Sequence, residues 1–420
     1  MERRIVFNNV RVFDGVTPRL SELASVMVKG HTIVEVSQPR SNESFPDVDC
    51  IDCGGQTLMP GLIDNHVHIY LNSYRLEPPE PPMTYRAHYA AKFLRHTLSC
   101  GFTTVRDVGG GDHGTAMALR DGLAVGPRLI YGGLCLTQTG GHGDFRPTSQ
   151  STDYCACGAE RNVFAIHADG RDECIKAARE ELRKGASHIK IMASGGVLSE
   201  SDPLERSQYS DEEIAAVVAE CERRGAYVCA HCHPAAAIRR CVELGVRSIE
   251  HGTLIDVETA DVVAQKGAYV VPTMAVAFAL SDEADRLALP AASRAKLHRV
   301  QERALQGLAI MKRAGVKMGF GTDLFGEHHT RRGTEFTIRR QVLTPFDILH
   351  SATALNAEIL KMEGRLGVIK PDAEADLLVL DGDPLSDLSL LAEGGRHLSH
   401  IMAAGRLVKS PRGEFQSHFD

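Results

Sequence analysis

Between residues 57 and 362, eight short apolar runs rich in β-branched residues alternate with stretches of helical periodicity. That alternation marks βα units, whose strands pair in parallel and whose helices cover the sheet. The strand-like runs fall at 61–70, 103–108, 128–131, 188–192, 227–231, 247–251, 269–273 and 317–323. Eight such units predict an α/β fold, a distorted (β/α)8 TIM barrel. Helix boundaries between them are legible. Ser210 with Glu213 forms a capping box for a helix that stops at Gly225, and Thr344-Pro345 with Asp347 opens another. Asp169 is placed to cap a helix running to Lys184.

Residues 1–56 carry only strand signals, at 4–7, 25–28 and 32–36, and the same β character returns at 375–380 and 400–408. The expected organisation is therefore a small β-sandwich domain built from both chain ends, 1–56 and 363–420, with the barrel inserted at 57–362. For 420 residues that division is comfortable, and 43% apolar with 24% charged residues is ordinary for a globular protein. A net charge of −7 without a basic run argues against a nucleic-acid or anionic-membrane surface. No apolar segment is long enough for a transmembrane span, and the Met-Glu-Arg-Arg start lacks a signal-peptide core, so a cytoplasmic protein is expected. Eleven cysteines, odd in number and scattered through core-like segments, favour free thiols. Cys50/Cys53 and Cys155/Cys157 have suggestive spacings but no partner pairs, and are expected to be structural.

The ionisable residues follow one rule. His66 and His68 share a face of the first strand, with Asp64 below them on that face. Lys190 lies in the fourth strand, His231 ends the fifth, His251 the sixth and Asp323 the eighth. All six sit at or near the carboxyl ends of their strands, where barrel enzymes keep their chemistry. Any one of these histidines alone reads as a hydrogen-bonded core residue. Six converging by the same rule predict a metal centre. Imidazoles with a carboxylate favour Zn²⁺ over Mn²⁺ or Co²⁺. Lys190 is the exception, since an ammonium repels a cation. A buried lysine gives up its proton more readily than an exposed one. A neutral amine adds carbon dioxide to become an anionic carbamate able to bridge two metals, so Lys190 is expected to be N6-carboxylysine.

The set PGLIDNHVH, HIK, AHCH, IEHG and GTD, in this order and spacing, resembles the amidohydrolase superfamily, in its binuclear branch with a carboxylated lysine on strand four. Within it the chain is similar to the imidazolonepropionase-like cluster of Xaa-Pro dipeptidases and ochratoxin-hydrolysing amidohydrolases. The resemblance covers nearly the whole chain. It implies two divalent metal ions, one held by His66, His68 and Asp323, the other by His231 and His251, with carboxylated Lys190 and a hydroxide bridging them. It implies that Asp323 takes the hydroxide's proton and returns it to the leaving amine. The implied substrate is a small-molecule amide or dipeptide, the implied assembly a homo-oligomer. Hydrolysis or deamination of a cyclic amide or imidazolone is the alternative the same metal site serves. A catalytically silent scaffold should have lost ligands, and all six are present.

Further candidates are His233, on the same strand face as His231, and His142 in the loop Thr139–Gly143; both are placed to hydrogen-bond a carbonyl oxygen or oxyanion. His328, His329, Arg331 and Arg332 follow strand eight, where a guanidinium would suit a substrate carboxylate and a solvated basic patch is the plainer reading. Tyr209 is a further candidate to face the site, and Ser194-Gly195-Gly196 would let a substrate approach the backbone. His88, His96, His298 and His418 read as surface or helix residues.

Overall fold

The computed structural model describes residues 4–39, 48–74, 81–146, 163–199, 202–411 and the backbone of 413–414; Cys155, Cys157 and His418 lie outside them. Its centre is a ring of parallel strands in two sheets. One holds Leu62–Val67, Phe102–Asp107 and Arg128–Tyr131; the other holds Cys135–Thr137, Ala165–His167, His188–Met192, Tyr227–Pro234, Ser248–Leu254, Tyr269–Val271 and Lys317–Met318. Backbone hydrogen bonds close the ring on both sides. Asn65 N and Asp323 N donate to Phe320 O and His66 O, both at 2.9 Å, so residues 317–323 run beside the first strand; Ser187 N donates to Tyr131 O at 3.0 Å. The strands are buried on both faces, as parallel strands covered by helices must be.

Helix Asp211–Arg223 carries the expected capping box from Ser210, and Pro345–Ser351 the one from Thr344. Helix Arg171–Arg183 starts differently: Gly170 is its N-cap, and the Asp169 carboxylate instead accepts from Thr139 N and Oγ1 at 2.9 and 2.7 Å. Asp169 thus serves the loop after the third strand, a competing local hydrogen bond of the kind Asp readily makes. Between strands seven and eight the chain makes a long excursion, helices Met274–Asp282 and Ala291–Ala314.

The two chain ends meet in one nine-stranded sheet. Leu377–Leu380 pairs antiparallel with Thr57–Pro60, which runs parallel to the end of Arg4–Val12. Ile5, Phe7, Val26, Leu58, Val379 and Met402 form its own apolar core. All nine cysteines among the described residues are free. Among the described residues no helix is long and apolar enough to cross a membrane.

Candidate active site

At the carboxyl ends of the barrel strands, His66, His68, Lys190, His231, His251 and Asp323 line one pocket together with His142 and His233. Ring centroids lie 5.3 Å apart for His66–His68, 5.0 Å for His66–His251 and 4.6 Å for His231–His251. Asp323 Oδ1 is 3.5 Å from His66 Nε2 and 3.4 Å from His68 Nε2. Ligand atoms of His66, His251 and Asp323 all fall within 4.8 Å of one another. Two of these residues hold strained backbone: His251 and Asp323 adopt φ of 72° and 54°. A non-glycine residue in that region costs on the order of 1–3 kcal/mol and persists where its surroundings enforce it.

The histidines are oriented from behind. His66 Nδ1 donates to Glu250 Oε2 at 2.7 Å and His68 Nδ1 to Gly109 O at 3.1 Å; neither acceptor offers a proton, so each Nε2 keeps its lone pair. His251 Nδ1 bonds Thr273 Oγ1 at 2.7 Å, and His231 Nε2 donates to Gly195 O at 3.2 Å. Burial holds His66, His231 and His251 well below the ordinary imidazole range and pushes His68 and His233 down to about 3, with the Lys190 charge adding to the effect. Neutral imidazoles are what a cation requires. Burial also raises the Asp323 carboxyl to about 8; Lys190 opposes this rise, while Asp64 and Glu250 add to it.

Two observations test whether a cation fits. His66 Nε2 is buried without a hydrogen-bond partner, and Lys190, 2% exposed, makes no hydrogen bond or ion pair among the described residues. A buried donor or acceptor left alone is costly, so this cluster suits a divalent ion with an anionic group at Lys190.

His142 stacks on His231 at 4.2 Å. Its Nδ1 is 2.7 Å from Ser199 Oγ, which donates to Asp202; Gln208 donates to Asp202 at 3.0 Å and accepts from His142 N at 2.9 Å. Gly196 is required here, because a Cβ would lie 2.1 Å from the His142 ring. Lys296 ties this loop to the long helix through Gly196 O, Ser199 O and Asp202 O at 3.0, 2.7 and 2.7 Å. His233 stacks on His251 at 5.1 Å, its Nδ1 3.3 Å from Thr253 Oγ1. The rest of the pocket is apolar, with Leu71, Phe164 and Phe325 from loops and Ala277, Leu280, Leu297 and Val300 from the two helices before strand eight. It encloses about 870 Å³ of empty space, its open mouth included.

The basic loop after strand eight is spent internally. Arg332, 1% exposed, pairs with Asp64 and donates to Thr97 Oγ1 at 3.0 Å; Arg331 pairs with Asp282; His328 is bonded to Glu283 and His329 to Gly326 O. It is therefore neither a carboxylate grip nor, for the buried His328, His329 and Arg332, a solvated patch. Asp64 lies beneath the histidines as expected, and also accepts from Thr322 N and Oγ1 at 3.1 and 2.7 Å. Tyr209 packs in the helix–sheet core and does not line the pocket. Ser194-Gly195-Gly196 receives histidines: His233 N on Ser194 Oγ, His231 on Gly195 O, His142 over Gly196. Sequence reasoning missed Glu250, Thr273 and Asp202.

The sequence pattern of the Amidohydrolase family matches residues 57–408. The chain belongs to this family. It is a hydrolase acting on carbon–nitrogen bonds of small molecules, as the resemblance of PGLIDNHVH and its companion motifs implied. Ochratoxinase of Aspergillus niger is 31% identical over 368 residues, covering 84% of this chain and 76% of that protein. A solved amidohydrolase is 44% identical with a TM-score of 0.93, covering 98% of this chain and all of the other. A prolidase solved with N-methylphosphonate-L-proline is 42% identical with a TM-score of 0.92, covering 97% of this chain and all of the other. The amidohydrolase fold, a TIM-barrel-like α/β architecture, is common to them.

Proposed function

We propose that this amidohydrolase cleaves the amide bond of small N-acyl amino acids or dipeptides. Xaa-Pro dipeptides and an ochratoxin-type aryl amide of phenylalanine are the two substrate groups. The observation that carries the proposal is the convergence of His66, His68, His231, His251, Lys190 and Asp323 beneath an apolar-walled pocket. The apolar lining suits a proline ring, an aryl acyl group or a hydrophobic side chain. The similarity to a prolidase and to an ochratoxinase supports the same substrate class.

In this reading His66, His68 and Asp323 would hold one divalent metal, zinc by preference, and His231 and His251 a second, with a carboxylated Lys190 supplying an anionic oxygen ligand. The ions, when bound, acidify a water and polarise the scissile carbonyl. Asp323 takes the water's proton and delivers it to the departing amine nitrogen. A carboxyl near 8 before any cation is present marks this group as one whose proton affinity its surroundings set. His142, held at Nδ1 by Ser199 and Asp202, and His233, stacked on His251, donate to the carbonyl oxygen as it gains charge. The pocket walls exclude water from the reacting amide.

The test is a panel of Xaa-Pro and Xaa-hydrophobic dipeptides, N-acyl amino acids, ochratoxin A and cyclic amides, assayed with zinc-loaded protein. Turnover of acyclic amides above cyclic ones is expected; turnover confined to cyclic amides or imidazolones overturns the assignment.

A further inference from the structure

The barrel interior below the site is closed by charge, a departure from the apolar layers such barrels ordinarily carry. Arg106 from the second strand and Glu250 from the sixth are both fully buried, 2.7 Å apart, with side-chain exposure of 0% each. Arg106 also donates to Asn65 O at 2.7 Å and Ser248 Oγ at 3.0 Å, and Ser248 Oγ donates to Glu250 Oε1 at 2.8 Å. The second Glu250 oxygen is thereby left for one task, accepting from His66 Nδ1 at 2.7 Å. Glu250 stands next to His251 in the chain, and strand alternation would turn it away from the site. The left-handed backbone at His251, φ 72°, breaks the alternation and lets both side chains face inward.

We propose that Glu250, backed by Arg106, is the positioning residue that makes His66 a metal ligand. It fixes the proton on Nδ1 and aims the orphaned Nε2 lone pair at the cation. The inference rests on the metal reading above and adds to it a residue that contacts neither metal nor substrate. Its chemistry explains the buried pair: a carboxylate behind the ring raises the basicity of the ligating nitrogen, and Arg106 supplies the compensating charge that lets this carboxylate stay inside. An amide does not replace it. With its oxygen towards His66, the NH2 of a glutamine meets the donors of Arg106 and Ser248. Flipped, it presents a donor to Nδ1, and the proton must move to Nε2, where the metal belongs.

The experiment is titration of chelator-stripped protein with zinc against a chromophoric competitor, for wild type, Glu250→Gln and Glu250→Asp. Wild type is expected to take up two ions. In both variants the affinity of one ion is expected to fall about 10- to 100-fold, the range for loss of such an outer partner, while the other stays within about threefold. Glu250→Asp keeps the charge beside Arg106 but withdraws it from His66, so its loss assigns the effect to reach. A merely structural role would lower the melting temperature of the stripped variants and leave both affinities in place; that result overturns the proposal. Wild type taking up no metal overturns this proposal and the metal reading together. Should the variants not fold, a crystal structure of zinc-loaded wild type decides. Zinc on His66 Nε2 with Nδ1 still on Glu250 supports the inference, and a ring turned off Glu250 refutes it.

Discussion

Lys190 carries a consequence for stability that is opposite in sign to its consequence for activity. In the metal-free protein Lys190, a residue 2% exposed, lies near His66, His68 and His231 with no hydrogen bond or ion pair among the described residues. A buried polar group left without a partner costs about 1–3 kcal/mol, and replacing buried ionic groups by apolar ones of similar volume has stabilised proteins by about 1–4 kcal/mol. Lys190→Met keeps the length and removes the polar end, so the stripped variant is expected to be about 1–4 kcal/mol more stable than stripped wild type. Unfolding entropy of about 2.1 cal/mol/K per residue amounts, over 420 residues, to about 0.9 kcal/mol per kelvin. The melting temperature should therefore rise by about 1–4 °C. Zinc with bicarbonate should reverse the order: at a thousandfold excess over Kd wild type gains about 4.1 kcal/mol, and the variant, lacking the bridging group, gains far less. Differential scanning calorimetry in chelator, then in zinc and bicarbonate, reads both effects. A stripped variant that melts below stripped wild type would mean that Lys190 already has a stabilising partner, and the predicted gain would be wrong.

Three further outcomes follow from the geometry. Asp323→Asn should keep at least one bound metal yet lower kcat by about 10²- to 10⁴-fold, as loss of a proton-transferring group does; near-normal turnover removes Asp323 from the proton path. Because the Asp323 carboxyl is raised to about 8 and His68 is held near 3, acid competes with metal at the carboxylate and spares the imidazole. Below pH 8 the metal affinity should therefore weaken about tenfold per unit, and calorimetry should find one proton fewer released per binding event in Asp323→Asn. Asp202→Asn should lower kcat/KM by roughly 3- to 100-fold in wild type and change nothing when His142 is already Gln; equal losses in both backgrounds would show that Asp202 does not act through His142.

Much of this site was legible because strand ends obey a simple rule. A β-rich run that finishes in His or Asp presents that side chain at the barrel mouth, and four such runs, with Lys190 in a fifth, announce a shared centre. The loops were less readable. Arg332 looked available for a substrate because nothing local consumes it; its partner Asp64 is 268 residues away in sequence. His142 was found by its glycine-rich loop, but Asp202 and Ser199, which orient it, carry no local signal. Glu250 was hidden for a sharper reason. With its neighbour His251 lining the pocket, period-two alternation sends Glu250 outward; only the left-handed backbone at 251, invisible in the sequence, overrides that period. The helices 274–282 and 291–314, whose side chains shape the apolar wall, belong to an irregular excursion that βα counting passes over.

Metal analysis coupled to amide hydrolysis asks whether four imidazoles, a lysine and a carboxylate enclose a catalytic metal pair. Two divalent ions per chain are expected, with loss of turnover in strong chelator and its return with zinc and bicarbonate. Purified protein that carries no transition metal and stays fully active in chelator would contradict that expectation.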